Sequence, residues 1–359
     1  MRIALVASPF IPVPPICYGG TELFVAHLAE SLSQIGHEVV VYANGESKVQ
    51  AKLRWYYPKT MWPPVGGVDE TLKEIDHTAW AIRDASDTCD VIHLNNTFGL
   101  PYSRFVKAPF VCTIHHPHER ALTEFYCQYP EAHYVTISKY SQQFEMMPNV
   151  RTIHHGINVS KYSFVSKKRK YFSFLGRLVP VKGAHAAIQI AKRTGIPLKI
   201  AGEVQPMFRD YFDREIAPQI DGKFIEYVGQ ANFAAKNELL ANSMALLFPI
   251  EWDEPFGLIM IEAMACGTPV LAFSRGSVPE VVRNGVSGFS CTSLNEMVSK
   301  VPQLAKLDAL TIRQYAQEYF SAERMASGYL KLYSAVTQEV TPAEITKLAA
   351  LDVTKLPAA

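Results

Sequence analysis

The chain has no apolar run near the length of about 20 residues that is needed to span a bilayer. At the N-terminus the apolar stretch 1–7 is followed by Pro9, Pro12, Pro14 and Pro15, which end it too early for a secretory signal. The six cysteines form no Cys-x-x-Cys pair, and several lie in apolar runs, where small thiols are commonly buried. These absences favour a cytoplasmic protein in a reducing compartment.

An excess of charge of either sign is missing as well. The 35 Lys and Arg residues against 34 Asp and Glu residues leave a formal net charge of +1, which argues against nucleic acid as a partner. No Asp-x-Asp sequence follows a predicted strand, where it could hold a nucleotide-bound metal. We therefore expect chemistry that needs neither a metal nor another cofactor.

The length of 359 residues exceeds one usual core, and a hydrophobic content of 48% is ample for two domains. Short apolar runs alternate with amphipathic helical patterns, as in doubly wound parallel α/β sheets. A first series of strands is predicted at 3–7, 39–43, 91–94, 110–114 and 134–137. A basic linker at 167–170 follows, and a second series of strands is predicted at 171–175, 198–201, 224–228, 245–248 and 270–273. Helical patterns are predicted at 21–35, 69–88, 139–146 and 311–338.

The two series of strands predict two Rossmann-like domains, at 1–165 and 166–320. Ligands bind beyond the carboxyl ends of the strands in open parallel sheets, so the active site is expected there. The tail at 341–359 lacks a convincing apolar face, and we expect it to be mobile.

Two carboxylates flank a turn and an apolar run in the second half of the chain. Glu254 precedes Pro-Phe-Gly, and Glu262 lies about two helical turns further along. The run should be a helix, whose first free amides near Gly257 and Leu258 suit an anion such as a diphosphate. Carboxylates repel phosphate but accept hydrogen bonds from sugar hydroxyls. The pattern predicts a phosphate-binding helix start with two sugar-binding acids.

This stretch resembles the acid, seven residues, acid signature of the retaining nucleotide-sugar glycosyltransferases of family 4, which have the GT-B architecture. Further motifs follow the family's order over roughly residues 1–335, and the ordered set is more specific than any single glycine motif. They are Gly19-Gly20-Thr21-Glu22, Gly36-His37-Glu38-Val39, Asp90-Val91-Ile92-His93, Thr113-Ile114-His115, Gly176-Arg177 with Lys182-Gly183, and Gly276-Ser277-Val278-Pro279-Glu280. The resemblance implies two doubly wound domains facing across a cleft, with a helix at 321–340 that crosses back to the first domain.

The resemblance also implies a set of donor-binding residues: Gly20, Arg177, Lys182, Phe256, Gly257, Leu258 and Glu262. In the family, the positions of Arg177 and Lys182 contact the pyrophosphate, that of Glu254 holds the 3-hydroxyl of the donor sugar, and that of Glu262 binds the ribose. The alternative for Glu262, a helix carboxylate paired with a lysine, is disfavoured because most of that helix is apolar. Burying an unpaired acid costs several kcal/mol, so a ligand or partner must compensate.

His115 ends a predicted strand, and the matching family histidine contacts the donor sugar near the reacting centre. It joins Glu254 in the implied catalytic pair. His116 and His118 follow at once and His93 ends a neighbouring strand, so a metal cluster is one alternative and plain loop packing is another. Zinc sites usually combine histidine with cysteine or carboxylate at set spacings, and adjacent histidines on a strand point to opposite faces, which disfavours the metal.

Two segments bear on membrane contact. The aromatic segment 53–67 lies in the domain that receives the acceptor in the family, and it suits stacking on sugar rings or shallow contact with lipid. Packing of this segment as a strand and loop is an equal alternative. The basic run 167–170 could attract anionic lipid, but four charges in a linker favour a solvated connection. Weak peripheral contact with the inner face of the membrane stays open.

Together with the resemblance, these residues predict a retaining, metal-independent hexosyltransferase. It would move a hexosyl unit from a nucleotide diphosphate sugar, with UDP favoured over GDP or ADP, to a hydroxyl acceptor in glycan, glycolipid or small-glycoside synthesis. A GT-B epimerase or phosphorylase shares the fold, but a phosphorylase needs a pyridoxal-phosphate lysine region and usually a longer chain. A nucleotide-sugar-binding pseudoenzyme would keep Arg177 and Lys182 but could lose Glu254 or His115, and all four residues are present.

Overall fold

The computed structural model describes residues 1–17, 19–62, 67–168 and 170–337, which divide into two compact units. The first unit combines Met1–Gly156 with the segment that begins at Ala322, and the second unit is Ile157–Ser321. The chain thus leaves the first unit earlier than the expected boundary at 165. The tail at 341–359 and positions 338–340 of the predicted last helix lie outside the described residues.

Strands form where short apolar, β-branched or aromatic runs occur. In the first unit they are β1 (Arg2–Val6), β2 (Glu38–Tyr42), β3 (Lys52–Arg54), β4 (Val91–Leu94), β5 (Phe110–Ile114), β6 (His133–Thr136) and β7 (Val150–Thr152). In the second unit they are β8 (Phe172–Leu175), β9 (Leu198–Ala201), β10 (Ile225–Tyr227), β11 (Ala245–Phe248), β12 (Val270–Phe273) and β13 (Gly288–Cys291).

Helices connect the strands in both units. The first unit begins with α1 (Gly20–Gln34), α2 (Val68–Ala85), α3 (Arg120–Tyr126) and α4 (Lys139–Gln142). The second unit contains α5 (Ala184–Thr194), α6 (Arg209–Tyr211), α7 (Phe233–Asn242), α8 (Leu258–Ala265), α9 (Val278–Val281), α10 (Leu294–Leu304) and α11 (Ala309–Phe320). The last helix, α12 (Ala322–Thr337), belongs to the first unit.

Both sheets are parallel throughout. The strand order is β3-β2-β1-β4-β5-β6-β7 in the first unit and β10-β9-β8-β11-β12-β13 in the second. In β1, Leu5 pairs with Val41 on one side and His93 on the other. The predicted pair of Rossmann-like, doubly wound sheets is therefore confirmed. In each sheet the strand order reverses beside the first strand, and ligands bind at the carboxyl edge there in this class of fold.

Both faces of the first sheet are covered, which explains why its strands read as continuous apolar runs. Leu5 packs with Phe24 of α1 and Tyr329 of α12 on one face. Val6, the next residue of β1, packs with Ile82 of α2 on the other face, as the two-residue period of a strand requires. The helix α12 is thus part of the core of the first unit.

The structure differs from the predicted elements at four places. Two short strands, β7 and β13, were not predicted, and the helix predicted at 139–146 ends at Gln142, whereas β3 overlaps the start of the aromatic segment 53–67, for which a strand was one of the alternatives. The helix predicted at 311–338 is two helices, because Ser321 is extended (φ −75°, ψ 153°) between α11 and α12. The preceding carbonyl, that of Phe320, accepts a hydrogen bond from the Ile157 amide at 2.9 Å, and Ile157 forms a parallel bridge with Ser321.

Candidate functional site

In the second unit, the loop after β8 brings two cations to the carboxyl edge of the sheet. Arg177 comes at the start of this loop, and Lys182 lies in a 3₁₀ turn before α5. The next residue, Gly183, has a φ of 76°, and a Cβ there would lie 1.9 Å from the carbonyl oxygen of Pro249. Only glycine permits this approach, which holds Lys182 near the loop that follows β11.

Glu254 lies on that loop and is 8% exposed. Its Oε2 accepts a hydrogen bond from Lys182 Nζ at 2.6 Å and another from the Trp252 indole Nε1 at 2.9 Å. The Lys182 ammonium also lies 4.6 Å from the centre of the Trp252 ring. The structure thus brings together the predicted sugar-binding acid and one of the predicted phosphate-binding cations.

The loop that carries Glu254 is fixed by a second loop, after β12. The amide of Ser277 donates to the carbonyl oxygen of Glu254 at 2.9 Å, and the Ser277 hydroxyl donates to the carbonyl oxygen of Phe256 at 3.0 Å. These bonds give the Gly276-Ser277 motif a structural role. It holds the acid-bearing loop at the carboxyl edge.

The helix α8 begins at the same edge. Gly257 precedes it with a φ of 79°, a left-handed conformation that favours glycine, and no side chain caps the helix. The first amides of α8 therefore remain available for an anion. The neighbouring Phe256 has a different role, because its ring is buried and packs 5.9 Å from the ring of Phe320. The Phe256 side chain is therefore part of the core of the second unit, whereas Leu258 is half-buried as the first residue of the helix.

Glu262, on α8, is 3% exposed and already has partners within the second unit. Its Oε1 accepts hydrogen bonds from the Tyr162 hydroxyl at 2.7 Å and from Lys236 Nζ at 2.5 Å. Burial, with the nearby Glu262 charge, raises the pKa of Tyr162 well above its ordinary value. The lysine pairing that sequence reasoning disfavoured is thus present, because the lysine comes from α7 and not from the same helix.

In the first unit, His115 follows β5 and its protonation is set by Asn95. The Asn95 amide nitrogen donates to the carbonyl oxygen of Val6 at 3.0 Å, which turns the Asn95 oxygen toward His115 Nε2, 3.0 Å away. This arrangement assigns the proton to Nε2 and the lone pair to Nδ1. Burial, and to a lesser extent the charge of His116, lowers the pKa of His115 to about 3, so the ring is neutral near pH 7.

Gly20, the predicted donor-binding residue of the first unit, is the exposed first residue of α1. The N-cap of the helix is Gly19, which has no side chain to make a capping hydrogen bond. The ring of Phe24, on the next turn, lies 4.9 Å from the ring of His115, and the His155 ring stacks on His115 at 5.3 Å. The start of α1 and the end of β5 therefore form one cluster.

A buried polar chain lies beneath this cluster, and sequence reasoning missed it. His93 Nδ1 lies 2.6 Å from the Tyr333 hydroxyl, and His93 Nε2 lies 2.7 Å from the Thr113 hydroxyl. The Thr113 hydroxyl lies 2.8 Å from the Tyr329 hydroxyl. Side chains of α12 are thereby hydrogen-bonded to β4 and β5. No local pattern could reveal this chain, because its partners are more than 200 positions apart.

The histidines weighed as a metal cluster have other partners. His93 belongs to the chain above, His116 Nε2 lies 2.6 Å from the Tyr126 hydroxyl, and His118 Nδ1 lies 3.2 Å from the Thr123 hydroxyl. Over the part of the chain that the structure describes, no group of three or more His, Cys, Asp or Glu side chains is arranged to hold a metal ion.

Two buried carboxyls lie near the start of α1. Glu74 of α2 accepts hydrogen bonds from the Ser8 hydroxyl and the Asn96 amide, both at 2.8 Å. Burial raises the pKa of Glu74 to about 7, and burial together with the charge of Glu74 does the same for Glu22. Sequence reasoning left Glu22 out of the catalytic set and missed Glu74, which occupies an ordinary position of an amphipathic helix.

A pocket of about 270 Å³ opens at the carboxyl ends of β4 and β5 in the first unit. Its walls include Thr21, Asn95, Asn96, Thr113, His115 and Tyr126. These are neutral groups, and among them Asn95 is bonded to His115 and Asn96 to Glu74. The pocket can therefore accept an uncharged polar group.

The basic run at 167–170 is partly structural. Lys168 Nζ donates to the carbonyl oxygens of Ala241 and Cys266, both at 2.8 Å, at the C-terminal ends of α7 and α8. A cation is favourable at these helix ends. Burial lowers the pKa of Lys168 to about 8. The expectation of a fully solvated run is therefore wrong at Lys168, whereas Lys167 and Lys170 are exposed and position 169 lies outside the described residues.

The aromatic segment at 53–67 begins in β3 and is partly packed. Trp55 is 50% exposed and Tyr56 is 45% exposed, and the Tyr56 ring lies 5.7 Å from the Trp80 ring of α2. Positions 63–66 of the segment lie outside the described residues. Among the helices that the structure describes, none has the length and apolar content to cross a membrane.

Two family models match consecutive parts of the chain. Glycosyltransferase Family 4 matches residues 18–161, and Glycosyl transferases group 1 matches residues 159–315. Glycogen synthase of Mycobacterium tuberculosis is similar, with 25% identity over 93% of this chain and 95% of the relative.

Solved glycosyltransferase structures share the fold. Sucrose-phosphate synthase from Thermosynechococcus elongatus has a TM-score of 0.78 and 18% identity, covering 94% of this chain and 100% of the other. HepE from Anabaena, solved in complex with UDP-glucose, has a TM-score of 0.74 and 18% identity, covering 93% of this chain and 100% of the other. With both halves matched by adjoining models and the GT-B fold shared over nearly the whole length, the chain belongs to the glycosyltransferases of family 4.

Proposed function

We propose that this glycosyltransferase moves a hexosyl unit from a nucleotide diphosphate sugar to a hydroxyl acceptor, with retention of configuration and without a metal. The observation that carries the proposal is the contact between Glu254 and Lys182 beside the uncapped start of α8. An acceptor for sugar hydroxyls and donors for a diphosphate occur together in one cluster of loops. UDP is the favoured nucleotide, which the fold shared with the UDP-glucose complex of HepE supports.

The diphosphate side of the reaction needs positive charge that is in place before the bond breaks. Lys182 is held by Glu254, Arg177 lies on the same loop, and the amides of α8 carry the positive end of the helix dipole. Such preorganised donors stabilise a leaving diphosphate, which is the task that a divalent metal performs in other enzymes. This supply of cations supports the metal-independent proposal.

Each unit offers one candidate acceptor for sugar hydroxyls, Glu254 in the second unit and His115 in the first. For the residues that the structure describes, every hydrogen bond of the Glu254 side chain goes to Oε2, which leaves Oε1 to accept one from the 3-hydroxyl of the donor sugar. His115 is neutral, with a lone pair on Nδ1 that suits a hydroxyl donor. Glu262 would accept from the ribose hydroxyls alongside its bonds to Tyr162 and Lys236.

Among the residues that the structure describes, none is assigned as a carboxylate nucleophile for the anomeric carbon, so we favour a front-face mechanism. The bond from the anomeric carbon to the diphosphate oxygen breaks, and the acceptor oxygen forms its bond on the same face. The departing phosphate oxygen takes the acceptor proton, which balances charge and leaves no covalent intermediate on the protein.

The donor class is tested with the full-length protein and UDP-, GDP- and ADP-glucose, each with and without EDTA. We expect UDP-glucose to raise the melting temperature by mass action and to be hydrolysed slowly, and EDTA to change neither result. If none of the three sugars is bound or consumed, the proposed donor class is wrong. Loss of turnover in EDTA that magnesium or manganese restores would overturn the metal-free mechanism.

A further inference from the structure

We infer that Trp252 is a positioning residue that orients both Glu254 and Lys182 for donor chemistry. This inference rests on the proposed function, since it assigns a role within the same donor site. Trp252 lies two positions before the acid, and no part of the family signature quoted above includes it.

The first contact of Trp252 fixes the carboxylate. The indole Nε1 of Trp252 and the ammonium of Lys182 both donate to Oε2 of Glu254, at 2.9 and 2.6 Å. Two donors use both lone pairs of that oxygen. Rotation of the carboxylate would break both bonds, so Oε1 is held as the oxygen that faces a ligand.

The second contact fixes the cation. The ammonium of Lys182 lies 4.6 Å from the centre of the Trp252 ring, within the range of a cation–π interaction. The ring therefore limits where the flexible Lys182 side chain can place its charge. One rigid aromatic side chain thus sets the carboxylate through its N–H and the ammonium through its π face.

This double contact predicts that two substitutions have different effects. W252F keeps a ring beside Lys182 but removes the N–H, so it should lower kcat about 10- to 100-fold, the usual effect of losing a hydrogen bond to a charged group in a site, while UDP affinity stays within about twofold. W252L removes the ring as well and should weaken UDP binding a further three- to tenfold. This loss corresponds to the free energy of a partly buried cation–π contact. W80F, a change in the first unit, is the matched control and should leave both quantities unchanged.

The experiment measures kcat and KM for UDP-glucose and the dissociation constant of UDP by calorimetry, in wild type, W252F, W252L, W80F, E254Q and the double variant W252F/E254Q. In the E254Q background, W252F should have almost no further effect on kcat, because the hydrogen bond acts through Glu254. Equal and independent effects of the two substitutions, or a kcat of W252F within twofold of wild type, would overturn the inference.

A second readout does not depend on activity. The chain has four tryptophans, so the indole N–H region of a ¹⁵N-labelled sample is simple, and W252F identifies the Trp252 signal. We expect that signal at low field in wild type and at higher field in E254Q, because a neutral amide accepts a weaker hydrogen bond than a carboxylate. A signal that does not move in E254Q contradicts the role of Trp252, even if the protein uses no nucleotide sugar. A signal that moves in a protein without such activity would place the failure in the proposed function.

Discussion

Glu254 and Glu262 are both buried acids with a lysine partner, yet their surroundings differ. Glu254 has one oxygen left for a ligand and lies in a loop, whereas Glu262 lies on α8 and is bonded to Tyr162 as well as Lys236. The sequence predicted both acids from their spacing and the cations of the β8 loop from the family resemblance. It could not identify Trp252 as a partner of Glu254, because a tryptophan next to an acid has no signature of its own, nor Lys236, whose pairing with Glu262 depends on how α7 packs against α8.

The two acids should respond differently to removal of their charge. E254Q should lower kcat strongly and leave the dissociation constant of UDP within a few fold, because Glu254 is assigned to the sugar. E262Q should instead weaken UDP binding, because Glu262 is assigned to the ribose. Calorimetry with UDP and steady-state kinetics with UDP-glucose measure both effects, and the opposite pattern would show that the two roles are exchanged.

The cations should matter mainly in the transition state. R177A and K182A should each raise the activation barrier by about 2–4 kcal/mol, as for other preorganised groups that stabilise a leaving anion. The exposed cation Lys170 offers a control, since K170A should leave turnover unchanged. Single-turnover rates decide the matter. Rates of R177A and K182A within twofold of wild type would remove both residues from the diphosphate site.

At the scale of elements, the central strands and the edge strand β10 were predicted, whereas the other three edge strands were not clearly marked by the sequence. β1, β4 and β5 are buried on both faces and flanked by strands, so they read as continuous apolar runs. The two strands that were missed, β7 and β13, lie at a sheet edge, where one side has no neighbour, and so does β3, which was only one alternative for the segment 53–67. An edge strand such as Lys52–Arg54 is less buried, so its sequence has fewer apolar residues and gives a weaker strand pattern.

The helices α1 and α2 bring Glu22 and Glu74 together, and this has a consequence for stability. Burial raises the pKa of each carboxyl from 4.5 to about 7, so the folded state holds protons that the unfolded state has lost between these values. Their contribution is full below pH 4.5 and is lost as the pH rises through 7. The buried His77, with its pKa lowered to about 4, acts in the opposite direction, since its contribution grows as the pH rises from 4 to 6.5.

Because the contributions of the two carboxyls and of His77 to stability change with pH in opposite directions, the test compares a variant with wild type. E74Q cannot ionise at this position, so it should not lose the stability that wild type loses as the pH rises. The free energy of unfolding of E74Q minus that of wild type should therefore increase by about 1–3 kcal/mol between pH 5 and pH 8. Urea unfolding of the full chain at several pH values measures this change, with E124Q, at an exposed position of α3, as the control. Parallel curves for E74Q and wild type would show that the pKa of Glu74 is not raised.

At the scale of the whole molecule, the chain builds most of one unit, then the other, and then returns to the first. The two units were predictable because each repeats the same alternation of strand and helix. The return near residue 321 was expected from the family resemblance, which implied a helix at 321–340, and α12 begins at Ala322 in the first unit. The departure from the first unit after Gly156 was not predicted, and it lies beside the bridge between Ile157 and Ser321, residues that are far apart in the sequence. The return has a clear role in the first unit, where Tyr329 and Tyr333 of α12 complete the polar chain to His93 and Thr113.

The central claim, a retaining transfer from a nucleotide sugar, is tested most directly by the configuration of the first product. An inverting enzyme needs a general base opposite the leaving group, and His115 is the obvious candidate in the first unit. We expect instead that an α-linked donor such as UDP-glucose gives an α-linked product, and that H115A slows the reaction without changing the anomer. Proton NMR of the product, recorded before mutarotation, decides between the two. An α-product supports the front-face mechanism, and a β-product would contradict it and make His115 the general base.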